Sequence, residues 1–253
     1  IGVGFMLEPA IEDAAKRFPN TYFLLIDSQL LDESNRPYVL SNVRTVTFKE
    51  HEGTFLMGVV AGLVTRTSVI GFVGGMEIPL IKRFEAGFRA GVMTVNPAAK
   101  VLIGYTGTFD NTEHGKRLGV DQINRGADVV FHAAGLDGIG VIQAAKDKGV
   151  FAIGVDSDQW HVAPGTVITS MIKHVDLAVY QAVRDLKDGK FTGGDVVLGL
   201  KEGGISWAPL RGKVPQKEKV ETALEKYREL IISGKLVVPD SIEKLKKFTP
   251  PGR

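Results

Sequence analysis

The chain has 253 residues, 44% of them hydrophobic and 24% charged, with a formal net charge of +2 and no cysteine. That length suggests two α/β lobes rather than one core. The apolar mass argues against disorder, and the slight charge bias argues against nucleic acid despite a sequence pI near 8.7. Thiolate zinc sites, thiol nucleophiles and disulfides are excluded, and no apolar run reaches the roughly 18 residues that would span a membrane.

In chain order, strands are predicted at 3–6, 22–26, 43–48, 69–73, 101–105, 129–131, 151–155 and 167–171. Helical patterns lie between most of them, at 10–17, 53–65, 79–95, 112–125, 138–148 and 176–188. Apolar strands separated by amphipathic helices are the mark of parallel strands buried on both faces, so the fold class is doubly wound α/β. Pro79 opens one helix, and Asn96-Pro97 closes it. Gly149 after Lys146 and Lys148 closes another. Beyond Gly189, glycine pairs flank short strands, a last amphipathic helix covers 216–233, and a Lys-rich tail through Thr249-Pro250-Pro251-Gly252 is expected to be loose.

Ligands of parallel sheets sit beyond the carboxyl ends of the strands. Those ends carry Asp27-Ser28, Gly74-Gly75-Met76-Glu77, Phe131 with His132 to Gly135, Gly154 with Asp156-Ser157-Asp158-Gln159, and Lys173. A carboxylate accepts hydrogen bonds from hydroxyls, a Phe ring offers a stacking face, and glycine admits close backbone approach. The set suits a neutral polyhydroxylated ligand bearing a flat ring. Each residue also has an ordinary reading: Asp as a turn or cap residue, Phe131 as core, Lys173 as a solvated cation. Of Asp156 and Asp158, one is expected to meet ligand and the other to be structural.

Enzyme signatures are missing. Gly135, Gly138 and Gly140 run GxxGxG, the reverse of the dinucleotide fingerprint, and neither a P-loop nor a GxSxG elbow occurs. The five histidines have no metal-ligand spacing. No catalytic residue, metal or cofactor is therefore expected.

At these positions the chain resembles the basic membrane protein family of ABC-transporter substrate-binding lipoproteins, which includes purine nucleoside receptors. The resemblance rests on residues 51–58 (HEGTFLMG), 69–76 (VIGFVGGM), 84–92 (FEAGFRAGV), 126–135 (GADVVFHAAG), 153–159 (IGVDSDQ) and 169–173 (TSMIK). It implies a type I periplasmic-binding-protein fold, with a nucleoside held between two lobes and passed to an ABC permease. It further implies that Asp27 contacts base or sugar, Phe131 stacks on the purine, Gly154 and Asp156 line the ribose side, and Lys173 orients a carboxylate and reaches the ligand. Lobe 1 is expected at 1–67 and 168–190, lobe 2 at 68–167 and 191–240, and a tail at 241–253. The implied location is extracytoplasmic, with the membrane reached only through a lipid anchor that this sequence does not contain.

Family members begin with a strand and helix bearing an Asp-x-Ser-Phe-Asn motif; nothing before Ile1 supplies it, so lobe 1 is expected to lack one β-α unit. Three alternatives stand beside the nucleoside receptor: a receptor for a sugar or other small solute, the effector domain of a transcription regulator, and an α/β enzyme acting on nucleosides.

Overall fold

Strand and helix alternate along most of the chain in the computed structural model, which describes residues 1–251. The first part runs β1 (Gly2–Val3), α1 (Glu8–Arg17), β2 (Phe23–Ile26), β3 (Val43–Phe48), α2 (Glu50–Val64), β4 (Val69–Gly74) and α3 (Pro79–Val95). Next come β5 (Lys100–Tyr105), α4 (Thr112–Asn124), β6 (Val129–Ala133), α5 (Asp137–Lys148), β7 (Phe151–Gly154) and β8 (Val167–Lys173). The chain ends with α6 (Val175–Lys187), β9 (Gly194–Leu198), β10 (Ile205–Trp207), α7 (Lys217–Ile232) and α8 (Ile242–Leu245). The predicted parallel α/β organisation is what forms.

The elements divide into two compact units, residues 1–49 with 174–205 and residues 50–173 with 206–253. In the first, the strand order is β1-β2-β3-β9 and every pairing is parallel. Leu25, Leu30, Val43 and Ala15 form its core, with Ile11, Phe23, Tyr38 and Leu40 packed around them. Helix α1 carries Glu8 in its first turn and Lys16 and Arg17 in its last, matching the helix dipole at both ends.

The second unit has a six-stranded sheet in the order β10-β8-β7-β6-β4-β5, with parallel pairing from β5 through to β8. Helices α2 and α3 cross closely because glycine lines the seam. A Cβ on Gly91 would lie 2.0 Å from the Phe55 carbonyl oxygen, and one on Gly58 would lie 2.1 Å from that of Phe88. The C-cap of α5 is Gly149 in the left-handed region at φ 69°, as its sequence pattern implies.

Two features differ from the sequence reading. The unit boundaries fall at 49/50, 173/174 and 205/206, whereas the sequence reading placed them at 67/68, 167/168 and 190/191. Helix α2 joins the second unit because it packs on α3 and α7. Strand β9 joins the first because Gly194–Leu198 pairs in register with Arg44–Phe48. The tail is also not loose over its described length. Ser241 accepts from the Lys244 amide at 3.3 Å, Leu245 is buried, and the Phe248 ring meets Phe55 edge-on at 6.4 Å. Gly252 lies outside the described residues.

Candidate functional site

The site is built at the carboxyl ends of β4 to β8 in the second unit. Two residues past β7, Asp156 turns the chain in the left-handed region at φ 64°. A non-glycine residue there is strained by sterics, and Asp tolerates the conformation better than most. The Asp156 carbonyl accepts the Lys173 amide at 3.0 Å. Its carboxylate lies 3.5 Å from Lys173 Nζ, with the Asp side chain 52% exposed and the Lys side chain 7% exposed. The turn thus presents a carboxylate to solvent and backs it with a buried ammonium. Asp158 does something else. One oxygen caps the 3-10 turn Gln159–Val162 by accepting the Trp160 amide at 3.1 Å, and the other binds Arg211 Nη1 at 2.7 Å. Both Asp158 carboxylate oxygens are thus engaged by groups of the chain itself.

Gly154 lies just behind this turn. A Cβ there would sit 2.4 Å from Ser170 Oγ and 2.7 Å from Gln159 Oε1, so its glycine makes room for polar groups under the turn. Gln159 Oε1 accepts the Val155 amide at 2.9 Å and meets His132 Nε2 at the same distance. His132 is only 1% exposed. Burial pushes its pKa down to about 4, against opposing contributions from the Gln159 hydrogen bond and the Asp156 charge.

Phe131 is not at the mouth of the sheet. Strand β6 continues to Ala133, two residues further than the sequence reading allowed, so Phe131 lies inside the sheet. Its ring is 0% exposed and packs at 4.9 Å from Phe88 and 5.9 Å from Phe72. Beyond the strand ends lies the ring of Phe109, partly exposed in the loop after β5. A Cβ on Gly75, just past β4, would lie 2.3 Å from that ring. Asp137, fully buried at the start of α5, fixes this loop by accepting Thr108 Oγ1 at 2.8 Å and the Asn111 amide at 2.6 Å. The Phe109 carbonyl accepts the Leu136 amide at 2.8 Å. Sequence reasoning stopped at Tyr105, the end of the apolar run, and so passed over Phe109 four residues on.

Gly154, Asp156 and Lys173 are therefore brought together in the second unit. Asp27 belongs to the first, at the end of β2, where it also adopts φ 64° and its amide donates to the Val46 carbonyl at 2.8 Å. Among the described residues, no group of three or more His, Cys, Asp or Glu could hold a metal ion. No helix among them is long and apolar enough to cross a membrane.

Comparison with known proteins places this geometry in a family. Residues 1–242 match the Bmp model, described as "ABC transporter substrate-binding protein PnrA-like". A Listeria monocytogenes "CD4+ T-cell-stimulating antigen" is 36% identical over 94% of this chain and 69% of its own length. An "ABC transporter nucleoside-binding protein BmpA" from Lactococcus lactis is also 36% identical, covering 94% of this chain and 70% of its own. Among solved structures, an ABC transporter solute-binding protein from Aeropyrum pernix K1 matches with a TM-score of 0.82 at 29% identity, over 97% of this chain and 79% of that one. A transcriptional activator from Bacillus halodurans, at 20% identity and a TM-score of 0.81, shares the fold alone. The chain belongs to the Bmp family of PnrA-like ABC transporter substrate-binding proteins, extracytoplasmic components that bind a small molecule and are not enzymes.

Proposed function

We propose that this chain binds a nucleoside, with a purine base preferred, and delivers it to the permease of an ABC importer. The observation that carries the reading is the Asp156–Lys173 pair, in which a half-exposed carboxylate on a left-handed turn is backed by a buried ammonium. The pair has no net charge, which suits an uncharged ligand. Its oxygens can accept two vicinal hydroxyls, and the ammonium can donate to a sugar oxygen. Phe109 supplies the aromatic face on which a base can stack, in place of the buried Phe131. Asp27 is kept as a further acceptor for a hydroxyl or a base N–H. The name carried by the Lactococcus lactis relative supports the ligand class.

A free-sugar receptor would use the same carboxylate and ammonium, so Phe109 discriminates the two readings. Calorimetric titration with guanosine, inosine, adenosine, uridine and ribose, repeated on Phe109→Ala, tests this. The nucleoside reading expects purine nucleosides to bind more tightly than ribose, with most of the difference lost in the variant. Stacking on one ring is worth about 1–3 kcal/mol, or roughly 5- to 150-fold in affinity. Ribose binding as tightly as guanosine would favour the sugar receptor. Lipid anchoring outside the cytoplasm remains part of this proposal.

A further inference from the structure

Under the Asp156 turn lies a polar cluster that does not face the proposed ligand. The Val155 amide donates to Gln159 Oε1 at 2.9 Å, which identifies that atom as the amide oxygen and an acceptor. His132 Nε2, 2.9 Å from the same oxygen, must therefore be the protonated ring nitrogen. The Gln159 backbone N–H donates to Ser170 Oγ at 3.1 Å, so β8 is reached through the main chain and not through the side chain. One glutamine thus ties together β6, the turn after β7, and β8. The turn it closes holds Asp156 in the left-handed conformation, and the Lys173 amide fixes the Asp156 carbonyl at 3.0 Å. The surroundings leave little freedom. A Cβ on Gly154 would meet Ser170 Oγ and Gln159 Oε1, and a Cβ on Gly138 would lie 1.9 Å from His132 Nδ1.

We propose that Gln159 and His132 are positioning residues: Gln159 holds the left-handed turn that aims Asp156 at the ligand, and His132 locks Gln159 by donating to its side-chain oxygen. This rests on Asp156 being a ligand contact. Neither side chain needs to touch the ligand. An acceptor stripped of one donor, or the buried Val155 amide stripped of its acceptor, forfeits a hydrogen bond in a partly buried cluster. The turn then has a route to relax from φ 64° towards ordinary backbone, carrying the carboxylate with it.

The test uses the full-length protein with guanosine as probe, comparing wild type with Gln159→Ala, His132→Leu, His132→Gln and the double variant Gln159→Ala/His132→Leu. Gln159→Ala is expected to raise the Kd about tenfold, the loss of one partly buried hydrogen bond from the turn. His132→Leu should weaken binding several-fold, while His132→Gln, which keeps a donor at similar reach, should stay within about twofold of wild type. Because the two residues act in series, the double variant should bind no worse than Gln159→Ala alone, a coupling that general destabilisation would not produce. Hydrogen exchange on the ligand-free protein supplies the second readout: the Val155 and Lys173 amides should exchange faster in Gln159→Ala, with β4 and α3 unchanged. Wild-type affinity in Gln159→Ala, or unaltered protection at both amides, overturns the inference. If that variant does not fold, His132→Leu against His132→Gln decides by the same two readouts. If wild type binds no nucleoside, the functional proposal fails by itself, and the exchange rates alone uphold or overturn the anchoring role.

Discussion

Lowering the pH should destabilise this protein through His132 before any of its carboxylates is involved. The imidazole is almost wholly inaccessible, and its pKa is held down to about 4 chiefly by burial. In the unfolded chain a histidine titrates near 6.5. Between those values the unfolded chain takes up a proton that the folded one refuses, so the unfolded state binds more protons and stability falls as pH falls. The cost is absent well above pH 6.5 and complete below about pH 4, where it reaches about 3 kcal/mol. At pH 4.5 most of it, roughly 2–3 kcal/mol, is already present. Carboxylates held below their usual range, such as Asp185 beside Arg44 and Asp147 beside Lys116, lose their contribution only as pH falls through that lower range. The window from pH 6.5 to 4.5 therefore isolates the histidine. Urea unfolding followed by the fluorescence of Trp160 and Trp207, both in the second unit, should be run across this window on wild type and His132→Gln. Wild type should lose about 2 kcal/mol more than the variant between pH 7 and 4.5. Parallel profiles for the two proteins would refute the reasoning, since they would mean that His132 titrates alike in both states.

Three further outcomes follow from named contacts. Gly91→Ala would ordinarily gain about 1 kcal/mol from helix propensity. Here its methyl would meet the Phe55 carbonyl at 2.0 Å, so α2 and α3 must part, and a net loss of about 2 kcal/mol is expected in thermal or urea unfolding. Asp137→Ala removes the acceptor for Thr108 and Asn111. It should free the Phe109 loop and weaken purine nucleoside binding more than ribose binding, as calorimetry would read. Lys173→Met leaves Asp156 without its buried counter-charge, and a nucleoside Kd at least tenfold higher is expected, in line with the loss of a charge-assisted contact.

Most of the fold was legible because parallel strands buried on both faces must be apolar along their length. Helix α3 and strand β3 have the bounds that their patterns imply, and most other elements shift by a residue or two. What was not legible is pairing across long separations. Nothing local marks β9, with its alternating exposed Asp195 and Val197, as the partner of β3 rather than of the larger sheet. The tail misled because its anchors, Leu245 and Phe248, are isolated among lysines, and a loose segment and a packed one then look alike. Asp156 and Lys173, which the structure brings to 3.5 Å of each other, stood out in the sequence because both end or follow apolar runs. Phe131 is buried because β6 runs on to Ala133, and the proposed stacking ring, Phe109, did not stand out because its neighbours are polar. The His132–Gln159 contact joins residues 27 apart on different elements, and no sequence spacing encodes it.

The most direct measurement is calorimetric titration of the full-length protein with guanosine and inosine, alongside Asp156→Ala, with the recovered ligand checked for integrity. Saturable binding in wild type, a loss of at least tenfold in the variant, and nucleoside recovered intact are the expected results. Absence of binding by wild type to any nucleoside, or undiminished binding by the variant, would contradict the proposal that Asp156 holds a nucleoside in this protein.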